Sequence, residues 1–278
     1  MIPADSSRRI GLARVLSKLG YCSRSQAFDL IRAGRVGLNG LICRDPEAPV
    51  RSERDRIAVD GREVAAQAKV YLMFNKPRGV VTTASDEKGR KTVYAYLEEG
   101  MPWVAPVGRL DKASEGLLLL TNNSEWAACV LAPETHLDKT YHVQIHAIAD
   151  TALIRSITRG VRIDDGSFLQ AKRAEILRSG EKNSWLEIVL DEGRNRHIRR
   201  MLAPLGISVL RLVRVGIGSL VLGDLPKGAS RALTESDKRG WIKLCERSRR
   251  SRLVISLRQA KQISERNREE GVGKKRKH

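Results

Sequence analysis

The sequence predicts an α+β protein of two folded units, a small α/β unit followed by a larger one with a mixed, mainly antiparallel sheet. The first forty residues show two amphipathic helical patterns and then a hairpin signal. Residues 70–218 contain six short β-type runs with fewer helical patterns between them, which favours α+β over an all-β unit. The length of 278 residues also exceeds that of one ordinary domain.

Two short helices are predicted to open the first unit. The first has apolar residues at the i, i+3, i+4, i+7 spacing of a helix with one buried face: Leu12, Val15, Leu16 and Leu19. Gly20 is expected to end it. Ser23 is the predicted N-cap of the second helix, with Gln26 completing a capping box and Gly34 at the left-handed position beyond its end.

A small hairpin should complete this unit. The run "RVGLNGLI" places Asn39-Gly40 between two apolar segments, and this dipeptide tolerates the positive φ angles of a type I′ turn. We expect the first domain to cover residues 8–60. The small and polar residues that follow predict a linker over residues 61–69.

The second domain is predicted to cover residues 70–244. Its β-type runs are "VYLMF" (70–74), "GVVTT" (79–83), "GLLLLT" (116–121), "TYHVQIHAI" (140–148), "SWLEIVL" (184–190) and "SVLRLVRVGIG" (208–218). Residues 245–278 are rich in charge and lack aromatic side chains, so we expect a basic, largely disordered tail.

The charge balance indicates a polyanionic partner. Lys and Arg total 51 against 32 Asp and Glu, a formal net charge of +19, which favours RNA or DNA because bound phosphates release counterions. The alternative is a soluble protein whose basic tail alone carries the excess, but residues 245–278 account for only +8 of it. The helical pattern leaves five cations on solvent faces of the first unit: Arg14, Lys18, Arg24, Arg32 and Arg35.

Cysteine spacing and hydropathy indicate the cellular compartment in which the protein is expected. The four cysteines are widely separated and form no Cys-x-x-Cys pair, so neither a zinc site nor a disulfide framework is predicted. No apolar run approaches the length that spans a bilayer, and the polar start "MIPADSSRR" lacks the apolar core of a signal peptide. We therefore expect a cytoplasmic protein, with no membrane partner, that acts as a monomer.

The first unit resembles the S4 RNA-binding domain. The resemblance rests on Ser23-Arg24 at the start of the second helix, on Gly34-Arg35-Val36 and on Asn39-Gly40, which occur in the order of that family's pattern. It implies that Arg14, Lys18, Arg24 and Arg35 bind RNA.

The string "PVGRLDKASEGLLLLTN" contains the candidate catalytic residue, Asp111. An isolated aspartate usually faces solvent or caps a helix, but this one follows a glycine turn and precedes a run of four leucines that should fix it in place. The string resembles the catalytic motif of pseudouridine synthases, in the branch that modifies ribosomal RNA. The resemblance implies that Asp111 is the essential aspartate and that Arg109 fills the space vacated by a flipped base or holds a phosphate.

Two further motifs resemble the same family. "DKTYHVQI" places Tyr141 where an active-site tyrosine is expected, the alternative being an ordinary strand aromatic that shares a face with Val143. In "DEGRNRHIRRML" the resemblance implies a salt bridge from Arg194 to Asp111 that keeps the acid ionised. The remaining cations of this motif are expected on the solvent face of a short helix, where they bind RNA or are merely solvated: Arg196, Arg199 and Arg200.

The resemblance implies isomerisation of a specific uridine in ribosomal RNA, with 23S RNA favoured, without metal or cofactor. Asp111 would either attack the nucleotide covalently or remove a sugar proton, and the sequence leaves both routes open. The target base must leave its stack to reach Asp111, so a folded RNA loop or a pre-ribosomal particle is the expected substrate. The alternatives are an inactive ribosome assembly factor that binds RNA and the same reaction on 16S RNA or on transfer RNA.

Overall fold

The computed structural model describes residues 9–51, 53–84 and 86–241. The tail predicted for residues 245–278 lies outside them, as do residue 8 and residues 242–244 of the two predicted domains. Within the described ranges, no helix is both long and apolar enough to cross a membrane.

The first unit combines two helices with short strands. Its elements are β1 (Ile10–Gly11), α1 (Leu12–Lys18), α2 (Arg24–Arg32), β2 (Val36–Leu38), β3 (Leu41–Ile42), β4 (Pro49–Val50), β5 (Ile57–Val59) and β6 (Arg62–Glu63). Strands β3, β2, β5 and β6 form one sheet in that order, and β1 pairs with β4. The apolar faces of α1 and α2 pack with β2 and β5 into one core, in which Leu12, Leu16 and Ile31 are fully buried.

The predicted signals of this unit are present. Ser23 Oγ accepts from the Gln26 amide at 3.1 Å, and the Ser23 amide donates to Gln26 Oε1 at 2.9 Å, which completes the capping box. Gly34 has a φ of 73° just beyond α2, and Asn39 and Gly40 both have positive φ angles in the β2–β3 turn.

The segment predicted as a linker begins with a strand. Arg62–Glu63 pairs antiparallel with β5, so the sheet of the first unit extends into residues 61–69. The signal lay in Asp60-Gly61, a second dipeptide suited to a tight hairpin, and both residues have positive φ angles. Residues 64–69 contain no regular element, although the Gln67 amide donates to the Leu19 carbonyl at 3.0 Å.

The second unit contains the remaining strands and helices. They are β7 (Tyr71–Lys76), β8 (Ala105–Val107), β9 (Glu115–Thr121), α3 (Ser124–Leu131), β10 (Lys139–Ile145), α4 (Thr151–Arg159), β11 (Val161–Arg162), β12 (Phe168–Leu169), β13 (Arg173–Ser179), β14 (Ser184–Leu190), α5 (His197–Leu202), β15 (Val209–Ile217), β16 (Leu220–Val221) and β17 (Ser230–Ala232).

One nine-stranded sheet organises this unit. Its main order is β13-β14-β10-β15-β9-β7-β17, with β8 paired to β9 and β16 paired to β15. All of its pairs are antiparallel except β9 with β15, which joins the two halves of the sheet. The mixed, mainly antiparallel sheet predicted from the sequence is therefore confirmed.

The predicted strand over residues 79–83 is wrong. Gly79 has a φ of 88°, and only Val81 makes an isolated bridge, to Thr92. The β-branched run suggested a strand. In the structure Val80 is the one buried residue of this run, and it packs in a core cluster with side chains of β7 and β9. This segment lies beside the loop that carries Asp111, because the Gly79 amide donates to the Lys112 carbonyl at 2.8 Å.

Candidate active site

Asp111 lies in the loop between β8 and β9, two strands that pair with each other. Gly108 starts the loop with a φ of 76°, a conformation that favours glycine. The Ser114 amide donates to the Asp111 carbonyl at 2.9 Å and closes a tight turn. Strand β9, which follows this turn, is buried along its whole length. The loop that carries the half-buried Asp111 is therefore anchored at its C-terminal end by a rigid strand.

A fully buried lysine supports this turn from below. Lys76, the last residue of β7, donates from Nζ to the carbonyls of Pro77 at 3.0 Å, Asp111 at 3.2 Å and Ser114 at 2.8 Å. Burial lowers the pKa of Lys76 to about 8, although the carboxylates of Glu115 and Asp111 oppose that shift. Three carbonyl acceptors thus replace the water that a buried ammonium loses.

The far end of the turn is anchored by ion pairs. Glu115 is almost fully buried, and its carboxylate accepts from Arg211 Nε at 3.0 Å and Lys227 Nζ at 2.6 Å. Burial raises the pKa of Glu115, but these two cations outweigh that effect and lower it. Next to it, Gly116 has a φ of 100°, and a Cβ there would lie 2.3 Å from the Arg214 carbonyl, so β15 can approach β9 only at a glycine.

Asp111 opens into a cleft of about 420 Å³ between the β8–β9 loop, α3 and the start of α5. Among the described residues that line it, Asp111 is the single carboxylate. Five cations line the same cleft: Arg109, Lys139, Arg194, Arg196 and Arg214. The cleft therefore suits a polyanion that brings an uncharged group to one carboxylate.

Tyr141 lines this cleft from β10, as the sequence predicted, and it is half-buried. Its cross-strand neighbours are Ile188 of β14 and Arg214 of β15. Part of its ring packs on the core formed around Val143 and Ile145, as a strand aromatic would, while the active-site role of this tyrosine stays a prediction. A ring in such a place can stack on a base.

Arg194 also lines the cleft, but it does not form the expected salt bridge. Its Nε donates to Glu192 at 2.9 Å, and a terminal nitrogen donates to the Phe168 carbonyl at 3.2 Å. Glu192 lies two residues earlier in the same loop, so its carboxylate can reach the exposed guanidinium of Arg194 more easily than Asp111 can. The ion pair of Arg194 is therefore with Glu192 rather than with Asp111.

The Asp111 carboxylate acts electrostatically on Arg199, as it does on Lys76. The expectation that Arg199 lies on the solvent face of α5 is wrong, because its guanidinium is inserted toward β15, donates to the Val209 carbonyl at 2.9 Å and has two buried nitrogens without a partner in the described part of the chain. Burial lowers the pKa of Arg199, as do Arg196 and Arg78, whereas Asp111 raises it. This attraction makes Arg199 a better candidate than Arg194 for the electrostatic partner of Asp111.

The other predicted RNA-binding cations are distributed over two surfaces. Arg109 and Arg196 are exposed at the rim of the cleft, and Arg200 on α5 is paired with Asp165. In the first unit, Arg14, Lys18 and Arg24 are exposed, as the helical pattern predicted. Arg35 is exposed too, but it forms a two-point ion pair with Asp60, from Nε at 2.9 Å and from a terminal nitrogen at 2.5 Å.

Three functional candidates were missed by sequence reasoning. Lys76 follows an apolar strand and looks like an ordinary strand end, although a lysine is rarely fully buried without a role. Lys139 stands two residues before Tyr141 and shares its face of β10. Arg214 interrupts the apolar run of β15 and is buried there, a signal that the sequence did contain.

No group of three or more His, Cys, Asp or Glu side chains in residues 9–51, 53–84 and 86–241 is arranged to hold a metal ion. The polar groups that line the cleft within these ranges are five cations, two hydroxyl groups, the Asn195 amide, the His197 imidazole and one carboxylate, and this excess of positive charge suits an anionic organic substrate.

Comparisons with known proteins identify the families to which the two units are similar. Residues 70–204 match the family model described as RNA pseudouridylate synthase, and residues 10–57 match the S4 domain. The ribosomal large subunit pseudouridine synthase B of Bacillus subtilis (strain 168) is 37% identical over 225 residues, which cover 80% of this chain and 91% of that protein. The protein of the same name from Shigella flexneri is 35% identical over 241 residues, 84% of this chain and 79% of that protein.

A solved structure shows the same likeness at the level of the fold. It is described as a crystal structure of pseudouridylate synthase, superposes with a TM-score of 0.58 at 28% identity, and covers 84% of this chain and 99% of its own. Both family models match in the order that the sequence motifs predicted, and the matched synthase region contains Asp111, Tyr141 and Arg199. The chain therefore belongs to the RNA pseudouridine synthase family, in a form that carries an N-terminal S4 domain.

Proposed function

We propose that this protein isomerises a specific uridine of 23S ribosomal RNA to pseudouridine and that Asp111 is its catalytic residue. The observation that carries the proposal is the position of Asp111 as the one carboxylate among the described residues of a strongly cationic cleft. Support for the RNA class comes from two relatives named as large-subunit synthases.

The reaction breaks the bond between uracil N1 and ribose C1′, turns the base and forms a bond from C5 to C1′, after which the proton on C5 leaves and N1 gains one. The isomerisation involves no net oxidation or reduction, so the chemistry calls for no redox cofactor. Asp111 takes part as a nucleophile toward the nucleotide or as a base toward a ribose proton, and either role needs an ionised carboxylate.

The surrounding residues would prepare the substrate for Asp111. Tyr141 stacks on the flipped uracil, while Arg109, which is exposed beside Asp111, fills the space in the RNA stack or holds the adjacent phosphate. Arg199 is the cation that we assign as the electrostatic partner of Asp111. The exposed cations Arg14, Lys18 and Arg24 of the S4 unit bind RNA phosphates outside the cleft.

The test is release of tritium from ribosomal RNA labelled at uracil C5, with the wild type compared with Asp111→Asn. The amide can neither attack nor accept a proton, so we expect release to fall by more than about 1,000-fold while RNA affinity changes little. Asp164→Asn, an exposed aspartate outside the cleft, is the matched control and should release tritium at the wild-type rate.

The same assay decides between the alternatives. A wild-type protein that binds ribosomal RNA but releases no tritium would be an assembly factor without activity. Separate assays on 16S and 23S RNA identify the substrate, and turnover only on 16S RNA would overturn the large-subunit assignment. An Asp111→Asn variant within tenfold of the wild type would remove Asp111 from the mechanism.

A further inference from the structure

Two cations of the cleft, Lys139 and Arg214, take no part in the chemistry assigned to Asp111. They lie on the neighbouring strands β10 and β15 beside Tyr141, whose cross-strand partner is Arg214 itself. Lys139 and Tyr141 are two residues apart and so share one face of β10. Two like charges in one partly buried cleft are unfavourable unless an anion joins them.

Arg214 is held rigidly but is only partly satisfied. Its side chain is 7% exposed, and Nε donates to the Leu117 carbonyl of β9 at 2.8 Å. One terminal nitrogen is buried and has no hydrogen-bond partner among the described residues. A buried guanidinium nitrogen without an acceptor is costly, which indicates that an acceptor arrives from outside the folded chain.

Lys139 has acids near it, but none of them pairs with its ammonium. Its Nζ donates to the Asp191 carbonyl at 3.3 Å. Asp191, Asp138 and Glu192 raise the pKa of Lys139, yet Asp138 is held by Lys172 at 2.8 Å and Glu192 by Arg194 at 2.9 Å. Burial, followed by repulsion from Arg214, lowers that pKa further than these acids raise it. Lys139 is thus a second cation that lacks an anion of its own.

We propose that Lys139 and Arg214 form a subsite for one RNA phosphate adjacent to the flipped uridine. A phosphate offers several acceptor oxygens, so it can bind the free guanidinium nitrogen and the ammonium together. It also supplies the negative charge that two neighbouring cations require. This inference rests on the proposed function. It adds to that function the phosphate contact that fixes the flipped nucleotide relative to Asp111 and Tyr141.

The test removes the charge of the phosphate and replaces each of the two cationic side chains, first separately and then together. The wild-type protein first identifies the modified uridine in ribosomal RNA transcripts. Synthetic RNA stem-loops with that uridine then receive a single uncharged methylphosphonate at each flanking phosphate in turn. The variants are full-length Lys139→Met and Arg214→Lys, and Lys182→Met is the control because Lys182 is exposed in the β13–β14 turn outside the cleft.

One methylphosphonate position should lower kcat/KM of the wild type by about 10- to 100-fold, the value of a charge-assisted hydrogen bond. On unmodified RNA, Lys139→Met should lower kcat/KM by a similar factor. On RNA in which that phosphate is neutral, the same substitution should lower kcat/KM by less than about threefold, because the two changes remove the same interaction. Arg214→Lys should show the same lack of additivity, whereas Lys182→Met should keep the full wild-type sensitivity.

The subsite would be overturned if the losses in kcat/KM from the substitution and from the methylphosphonate multiplied. It would also be overturned if no phosphate beside the uridine were sensitive to the methylphosphonate. Equal losses for Lys139→Met on every RNA would indicate a contact to the uracil instead. A purely structural role for Arg214, limited to its bond with Leu117, would lower the thermal stability of Arg214→Lys without altering the response to methylphosphonate. If the wild type modifies no ribosomal RNA, the proposed function itself fails, and this is seen before any variant is made.

Discussion

The ammonium of Lys76 donates a 3.2 Å hydrogen bond to the backbone carbonyl of Asp111, so a fully buried cation holds the residue to which we assign the chemistry. The same ammonium holds Pro77 and Ser114. The contact reaches the main chain of Asp111 and leaves its carboxylate free for the substrate. Lys76 is therefore a positioning residue, and its effect should be separable from that of Asp111.

Replacement of Lys76 by Met should damage stability and turnover together. Three carbonyls would lose their donor in a buried place, which should lower the free energy of unfolding by about 2–4 kcal/mol. Turnover should fall by at least about tenfold because the Asp111 turn loosens. Denaturant titration and tritium release measure the two effects, with Lys182→Met as an exposed control. Wild-type turnover in a Lys76→Met protein would contradict the positioning role.

Stability should depend on pH through Lys76. The pKa of this group is about 8 in the folded protein and lies at its ordinary value of 10.5 when unfolded. Between these values the unfolded chain binds more protons, so the Lys76 contribution to the free energy of unfolding rises with pH, by at most about 1.4 kcal/mol per pH unit. The stability difference between wild type and Lys76→Met, measured from pH 7 to 10, should therefore grow with pH, and a constant difference would contradict it.

Arg199 and Arg194 should differ in their effect on turnover. Arg199 is attracted by Asp111, whereas Arg194 is paired with Glu192. We expect Arg199→Met to lower kcat by about 100-fold and Arg194→Met by less than about tenfold, measured by tritium release on one RNA. The reverse order would restore Arg194 as the partner of Asp111.

The S4 unit should contribute salt-dependent affinity for RNA. Neutralising the exposed Arg14, Lys18 and Arg24 to Gln should reduce the slope of log K against log salt by about 0.7–0.9 for each RNA phosphate that is no longer bound. Arg35→Gln is the matched control, because Asp60 already neutralises Arg35 and the slope should change little. Binding isotherms at four salt concentrations with Asp111→Asn protein give the slopes, and an unchanged slope in the triple variant would exclude RNA binding by this surface.

Gly116→Ala should be far more damaging than Gly166→Ala. Both glycines have positive φ angles, but a Cβ at Gly116 would lie 2.3 Å from the Arg214 carbonyl, whereas nothing lies within 4 Å of a Cβ at Gly166. We expect about 1 kcal/mol of destabilisation at Gly166 from backbone strain and more than about 3 kcal/mol at Gly116. Thermal unfolding compares the two variants, and equal effects would mean that β15 can move away from β9.

Most helices and strands could be predicted from local signals in the sequence. The partners of several charged side chains could not, because they depend on contacts between distant segments. Ser23 and Gln26, which form the capping box, are three positions apart, so the sequence alone contains this signal. The partner of Arg194 and the buried position of Arg199 depend on which distant segments surround them, and a helical pattern cannot show this. Lys76 could not be predicted either, because its acceptors are carbonyls, which every residue has.

The parallel pairing of β9 with β15 gives the order in which the site can be completed during synthesis. Leu117 and Arg214, which this pairing brings together, are 97 residues apart in the chain. At about 5–20 residues per second, Asp111 leaves the ribosome several seconds before β15 exists. Closing such a long loop also makes this pairing a late step of folding. The S4 unit, whose contacts are short in sequence, can fold before then, so the growing chain acquires its RNA-binding surface before it acquires a working cleft.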